Sequence, residues 1–145
     1  MMAGASGLDH VSRGFRHKRA ETLRGSILDE LVIEILGVTN VPLGAYSIAE
    51  RLRERRRSGN MMAIYRSLDR LCKRDVIERV ESLSAYRLRT AAGAVLMACA
   101  RCGTTTPLPV EAEFSAIDKA VRDAGFLLNK LALEAVGICA SCRTD

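Results

Sequence analysis

Four of the five cysteines in this chain fall into two pairs of identical spacing, Cys99-Ala-Arg-Cys102 and Cys139-Ala-Ser-Cys142. Two residues between paired cysteines let a tight turn aim both sulfurs at one point, and tetrahedral zinc takes four thiolates at about 2.3 Å. The 36 residues between the pairs exceed the gap of a compact zinc ribbon, so each pair is expected on a separate element, with the metal joining them. Competing readings are two redox dithiols, two disulfides, or four unrelated small buried residues. A secreted disulfide framework is disfavoured because the amino terminus shows no apolar leader, and a thioredoxin-like motif would not normally come twice. Four thiolates fill the coordination sphere and leave no position for water, so one such zinc per chain would hold a shape and do no chemistry.

The length, 145 residues, suits one ordinary domain or two small ones. The longest apolar run, Ala91 to Ala100, is far short of the roughly 20 residues that span a bilayer. No membrane segment and a reducing, cytoplasmic location are therefore expected. The charge is unevenly divided. Residues 1–90 hold 17 Lys and Arg against 11 Asp and Glu, whereas 91–145 hold 5 against 6. A basic first part points to a polyanionic partner, and a near-neutral second part to assembly.

Residues 1–11 are small and unpatterned and are expected to fray. Residues 12–24 are basic, with Arg13, Arg16, Lys18, Arg19 and Arg24, and read either as a solvated charged face or as an arm touching phosphates, with Arg16 and Arg19 as contacts. Ser26 can cap an apolar helix carrying Ile27, Leu28, Leu31 and Ile35, ended by Gly37. A helix over 46–57 follows, with Ile48, Ala49 and Leu52 buried and Arg51, Arg53, Arg55, Arg56 and Arg57 outside. Ser58-Gly59-Asn60 makes a turn and cap before a helix over 61–74, in which Ile64, Leu68 and Leu71 share one face. At 100° per residue, Arg66, Arg70 and Lys73 fall roughly opposite that face, with Tyr65 on its flank.

Two short helices joined by a Gly-containing turn, the second with a basic exposed face, make a helix-turn-helix pattern, though any amphipathic helix turns charge to water. The β-prone runs Val76–Glu81 and Ala85–Arg89 that follow read as a wing, completing a winged helix whose second helix would lie in the major groove while arm and wing touch backbone. Residues 90–94 are small and read as a hinge. Beyond it, strands over 95–100 and 104–109, a helix over 110–124 with Phe114, Ile117, Ala120 and Val121 inward, and a strand over 126–136 make a small α/β unit. The expected architecture is thus α+β: residues 12–89 a winged helix-turn-helix domain, residues 95–145 a zinc-stapled dimerisation domain. Two-fold symmetry would present two recognition helices to two half-sites of double-stranded DNA.

These residues resemble the ferric uptake regulator family, and within it the zinc uptake branch. Met62-Ala63-Ile64-Tyr65-Arg66-Ser67-Leu68 is similar to the family's recognition helix, Gly44-Ala45-Tyr46-Ser47-Ile48 to a stretch marking the zinc branch, and Gly125-Phe126 through Cys142 to that branch's tail. The resemblance spans about residues 15–142. It implies that Cys99, Cys102, Cys139 and Cys142 hold a structural zinc and that the protein is a dimeric, operator-binding repressor. It also implies that Tyr46 and Arg66 touch DNA, with Tyr65 at the motif tyrosine. An arginine can fork onto guanine and a tyrosine ring can pack on a thymine methyl, although each tyrosine also suits a core position with its hydroxyl wet.

The family's second, metal-sensing site near the hinge uses histidines, whereas the histidines here are His10 and His17, ahead of the winged helix. The matching positions hold Glu78, Arg89, Ala92 and Pro107. Of these only Glu78 suits a metal, and Arg89 would repel one. DNA binding is then either independent of a second metal or answers another signal, for which Cys72 is a candidate thiol, though such a cysteine is also a common small core residue. Alternative roles are an interaction protein pairing with a true sensor of the family, or a thiol redox switch. No nucleophile, base and orienting group come together, so an enzyme is not expected.

Overall fold

The computed structural model describes residues 25, 27–57, 59–89 and 93–143. The first helix, α1 (residues 27–37), buries Val32, Ile35 and Leu36, an i, i+3, i+4 set on one face. The expected face was rotated. Ile27 is 52% exposed, Leu28 and Leu31 are half-buried, and the stripe passes through Val32 and Leu36 instead. The Ser26 cap lies outside the described residues, and Gly25 before it is already helical. Helix α2 (Ala45–Glu54) buries Ala45, Ile48, Ala49 and Leu52. Helix α3 (Met61–Lys73) starts where Asn60 accepts from the Ala63 N–H at 2.7 Å, the expected cap, and it buries Ile64, Ser67, Leu68 and Leu71.

Strands β1 (Ile77–Val80) and β2 (Ala85–Leu88) pair antiparallel from Ile77↔Leu88 to Val80↔Ala85. A single 3-10 turn (Glu81–Leu83) closes them, with Ser84 left-handed at φ 48°. Leu43, in the α1–α2 loop, bridges Tyr86, so a third segment lies beside β2. The three helices and this hairpin share one core, from Val32 through Ile64 and Leu71 to Ile77. This is a winged helix-turn-helix.

Past Gly93, in the left-handed region at φ 70°, the chain changes to a sheet of order β4-β3-β5. The central strand β3 (Ala94–Cys99) pairs antiparallel with β4 (Thr105–Pro109) and parallel with β5 (Leu133–Gly137). Helix α4 (Glu111–Asp123) makes the crossover that parallel pairing requires, and one turn, α5 (Ala140–Arg143), ends the described chain. Two expectations fail here. The strand expected over 126–136 is only five residues long, because β3 offers backbone partners from Leu133 to Gly137 and, among the described residues, no strand pairs with the segment before; Phe126 and Leu127 are 71% and 85% exposed. Helix α4 buries no residue fully: Phe114 and Val121 are half-buried, and Ile117 and Ala120 face out. Among the described residues, no helix is long and apolar enough to cross a membrane.

Candidate metal centre and nucleic-acid interface

Parallel pairing of β3 with β5 sets Cys99 opposite Gly137, and the ladder continues through Ala100 N–H to Gly137 C=O at 2.8 Å. Both cysteine pairs therefore leave the same end of the sheet, despite the crossover between them. After β3 the chain turns at once. The Gly103 N–H donates to Cys99 C=O at 2.9 Å, with Gly103 at φ 73°, a conformation that favours glycine. After β5, Cys139 precedes α5, and the Cys142 N–H donates to Cys139 C=O at 3.1 Å, turning both sulfurs inward. Arg101 Nη1 joins the two knuckles through Cys142 C=O at 2.6 Å.

The four sulfurs lie within 4.8 Å of one another, and among the described residues theirs is the cluster able to hold a metal ion. Cys102 and Cys139 Sγ are 3.8 Å apart, close to the ~3.8 Å edge of a tetrahedron with bonds of about 2.3 Å. That spacing is well beyond a disulfide bond, and all five cysteines are unbridged. Backbone N–H groups of Cys102, Cys139 and Arg101 converge on the Cys99 sulfur and hold its pKa down at about 6, while Cys142, bonded by Cys139 and crowded by the other thiols, is pushed up to about 12. The Thr104 hydroxyl and N–H lower Cys102 as well, and a bound dication would favour the thiolate form of the whole set.

The helix-turn-helix presents Tyr46 from the first turn of α2, 69% exposed, and Tyr65 and Arg66 from α3, with Tyr65 44% exposed. Both tyrosines are out of the core. Arg53, Arg56 and Arg57 are exposed beside them, and Arg55 pairs with Glu34 at 3.0 Å. Lys73 is also exposed, paired with Asp69 one turn back at 2.7 Å. Arg70 departs from its expected role on the outer face. Its guanidinium grips Asp29 at 2.7 and 3.2 Å and reaches Gly25 C=O, and Asp29 also accepts from the buried Ser67 hydroxyl at 2.5 Å. Asp29 is buried, so its charge requires these partners. Arg70 is thereby a tie between α1 and α3. A serine inside an apolar stripe was the signal for this network. Arg16 and Arg19 lie outside the described residues.

The candidate sensing residues Cys72 and Glu78 line one cavity of about 100 Å³, together with Arg79, Arg89, Lys130 and Glu134. Burial pushes the Cys72 thiol up, which keeps it from the reactive thiolate form. Burial likewise raises Glu78, against the opposing pull of Arg87, Arg89 and Lys130. Arg87 lies 3.7 Å from Glu78, and Arg89 pairs with Asp75. The cavity is thus already supplied with cations. The wing was expected to meet DNA, yet its tip is held by the carboxy-terminal sheet, where Glu134 accepts from the Glu81 and Ser82 N–H groups at 2.7 and 3.0 Å.

Compared with known proteins, the chain is 26% identical over 116 residues to the zinc uptake regulation protein of Escherichia coli K12, a stretch covering 77% of this chain and 68% of that protein. The zinc uptake regulation protein of Shigella flexneri matches to the same extent. No family model matches the chain. Among solved structures, a zinc uptake regulator complexed with zinc and DNA aligns with a TM-score of 0.73 at 24% identity, covering 81% of each chain. The Helicobacter pylori ferric uptake regulator aligns with a TM-score of 0.61 at 19% identity, covering 98% of this chain and 97% of that one. At such identities the structural likeness establishes the fold.

Proposed function

We propose, for a chain that belongs to the ferric uptake regulator family near its zinc uptake regulators, that it is a dimeric, sequence-specific DNA-binding regulator, acting as a repressor and built on one structural zinc per subunit. The observation that carries this reading is the exposed face of α3 with Tyr65 and Arg66, next to Tyr46 and the arginines of α2. Arg66 has the length and planar fork to bond guanine O6 and N7, and the tyrosine rings can pack on thymine methyls or bond phosphates. The α2 arginines supply phosphate contacts that position α3 without choosing sequence.

Cys99, Cys102, Cys139 and Cys142 would hold the zinc, which when bound closes the end of the sheet and supplies no catalytic step, since four thiolates leave it no open position. The reading is accordingly non-enzymatic. The carboxy-terminal unit buries few side chains by itself and exposes Met97, Leu108 and Val136 of the sheet, Ile117 of α4, and Ile138 just past β5. A second copy covering that apolar surface gives the two-fold dimer a paired operator needs. DNA binding is proposed not to require a second metal, because Arg89 and Lys130 already face the carboxylates of the inter-unit cavity.

The test is operator selection from genomic fragments with protein carrying only its cysteine-bound zinc. Enrichment of a two-fold-symmetric sequence supports the reading. Binding that tracks length and salt but not sequence would remove it, and would favour a partner protein that modulates another regulator through mixed dimers.

A further inference from the structure

The tip of the β1–β2 hairpin is docked. Glu81 and Ser82 open a one-turn 3-10 helix whose N-cap, Val80, has no side-chain acceptor for their N–H groups. Such end groups need an acceptor from elsewhere or water. Both oxygens of the Glu134 carboxylate fill this role, one at 2.7 Å from Glu81 N and the other at 3.0 Å from Ser82 N. Glu134 is the sole acid between Asp123 and Asp145, and it stands in β5 among Leu133, Ala135, Val136 and Gly137. A half-buried charge in an apolar strand needs a partner, and these two N–H groups are partners.

The consequence lies in how the two units are tied. The covalent connection leaves β2 at one end and the hairpin tip lies at the other, about 13 Å away at roughly 3.4 Å per residue. Two tethers allow rotation only about the line joining them. A third contact stands off that line: Val41 lies two residues from Leu43, which flanks β2 through Tyr86. Val41 packs so closely on the first knuckle that a Cβ on Gly103 would lie 3.3 Å from Val41 Cγ1. With all three ties in place the helix-turn-helix has one orientation on the sheet.

We infer that Glu134 is a positioning residue for DNA recognition: by docking the hairpin tip it fixes the angle at which each subunit presents α3, and so the half-site spacing the dimer accepts. This rests on the DNA-binding reading above. Spacing is the right readout, because a residue that served folding alone would change stability and leave the preferred spacing untouched.

The test compares full-length, zinc-loaded wild type with Glu134→Gln, which keeps side-chain volume but sets an amide N–H against one of the two donors, and with Glu134→Ala. Amide exchange at Glu81 and Ser82 is measured without DNA, and affinity is measured on operators whose half-sites are moved apart or together by single base pairs. The expected result is exchange faster by about tenfold at both amides in Glu134→Ala and at one of them in Glu134→Gln, with Val80 and Ala85 unchanged. The wild-type preference for one spacing, about tenfold over its neighbours, should fall to about threefold or less. Unchanged exchange, or a spacing profile identical to wild type, overturns the inference. If wild type selects no operator, the DNA-binding reading fails by itself, while the exchange measurement still decides whether the latch exists. Should Glu134→Ala not fold, Glu134→Gln decides alone.

Discussion

Arg66 and Arg70 sit one helical turn apart on α3, yet they act differently. Arg66 is exposed, whereas Arg70 is committed to Asp29, whose carboxylate raises its pKa by hydrogen bonding more than burial lowers it. Arg66→Ala should cost about 1–3 kcal/mol on a preferred operator and relax base choice at one position, read by affinity across single-base variants. Arg57→Ala should weaken every sequence alike and flatten the salt dependence. Asp29→Ala leaves the Ser67 hydroxyl and the half-exposed Arg70 without their acceptor, and should lower unfolding stability by about 1–3 kcal/mol in urea titrations. Helical periodicity groups Arg66, Arg70 and Lys73 by angle. It could not reveal that Asp29, 41 positions before Arg70, would face Arg70 from another helix. The identity of a side chain's partner is a tertiary fact.

Elements were legible where local rules decide them. Asn60 caps α3 as its side chain dictates, and the apolar spacing of α2 and α3 names their buried faces. Elements were misread where a neighbour decides. A strand persists only beside another backbone, so β5 begins at Leu133, where β3 can pair with it, and the apolar residues between Phe126 and Ala132 lie outside the sheet. Helix α4 has an apolar side that the described elements cover only in part, at Phe114 and Val121, which a pattern of inward residues cannot distinguish from full burial. The cysteine pairs were the most readable feature, because the Cys-x-x-Cys spacing nearly determines local geometry, while the β3–β5 register that unites the pairs was beyond sequence pattern. On the proposed reading, Cys139→Ser should release the zinc, measured as metal per chain, and with it the dimer, measured by sedimentation, because three thiolates no longer complete the site that staples the two knuckles. Retention of both would assign the sheet's stability to packing alone.

At the scale of the whole molecule, the units are joined by a carboxylate as well as by the chain. Burial pushes Glu134 up, but hydrogen bonds from Ser82 and Glu81 outweigh it and hold the group below the ordinary glutamate range. A folded value below the unfolded one means that the stabilisation is complete at neutral pH, above the unfolded value, and is lost as pH falls through the lowered folded value. Protection of the Glu81 and Ser82 amides, corrected for intrinsic exchange, should therefore hold at neutral pH and disappear on acidification below the ordinary carboxylate range, while Glu134→Gln shows no such step. Cys72, Asp75, Glu78, Arg79, Arg89 and Lys130 line the same cavity as Glu134. On the proposed reading, cysteine-bound zinc, packing and this latch suffice to hold a DNA-competent shape. The direct test is affinity for the selected operator, using protein with one zinc per chain, with and without added zinc, manganese or iron. Tight, sequence-specific binding that added metal leaves unchanged is the expected result; specific binding that appears only when a second metal ion is supplied would contradict it.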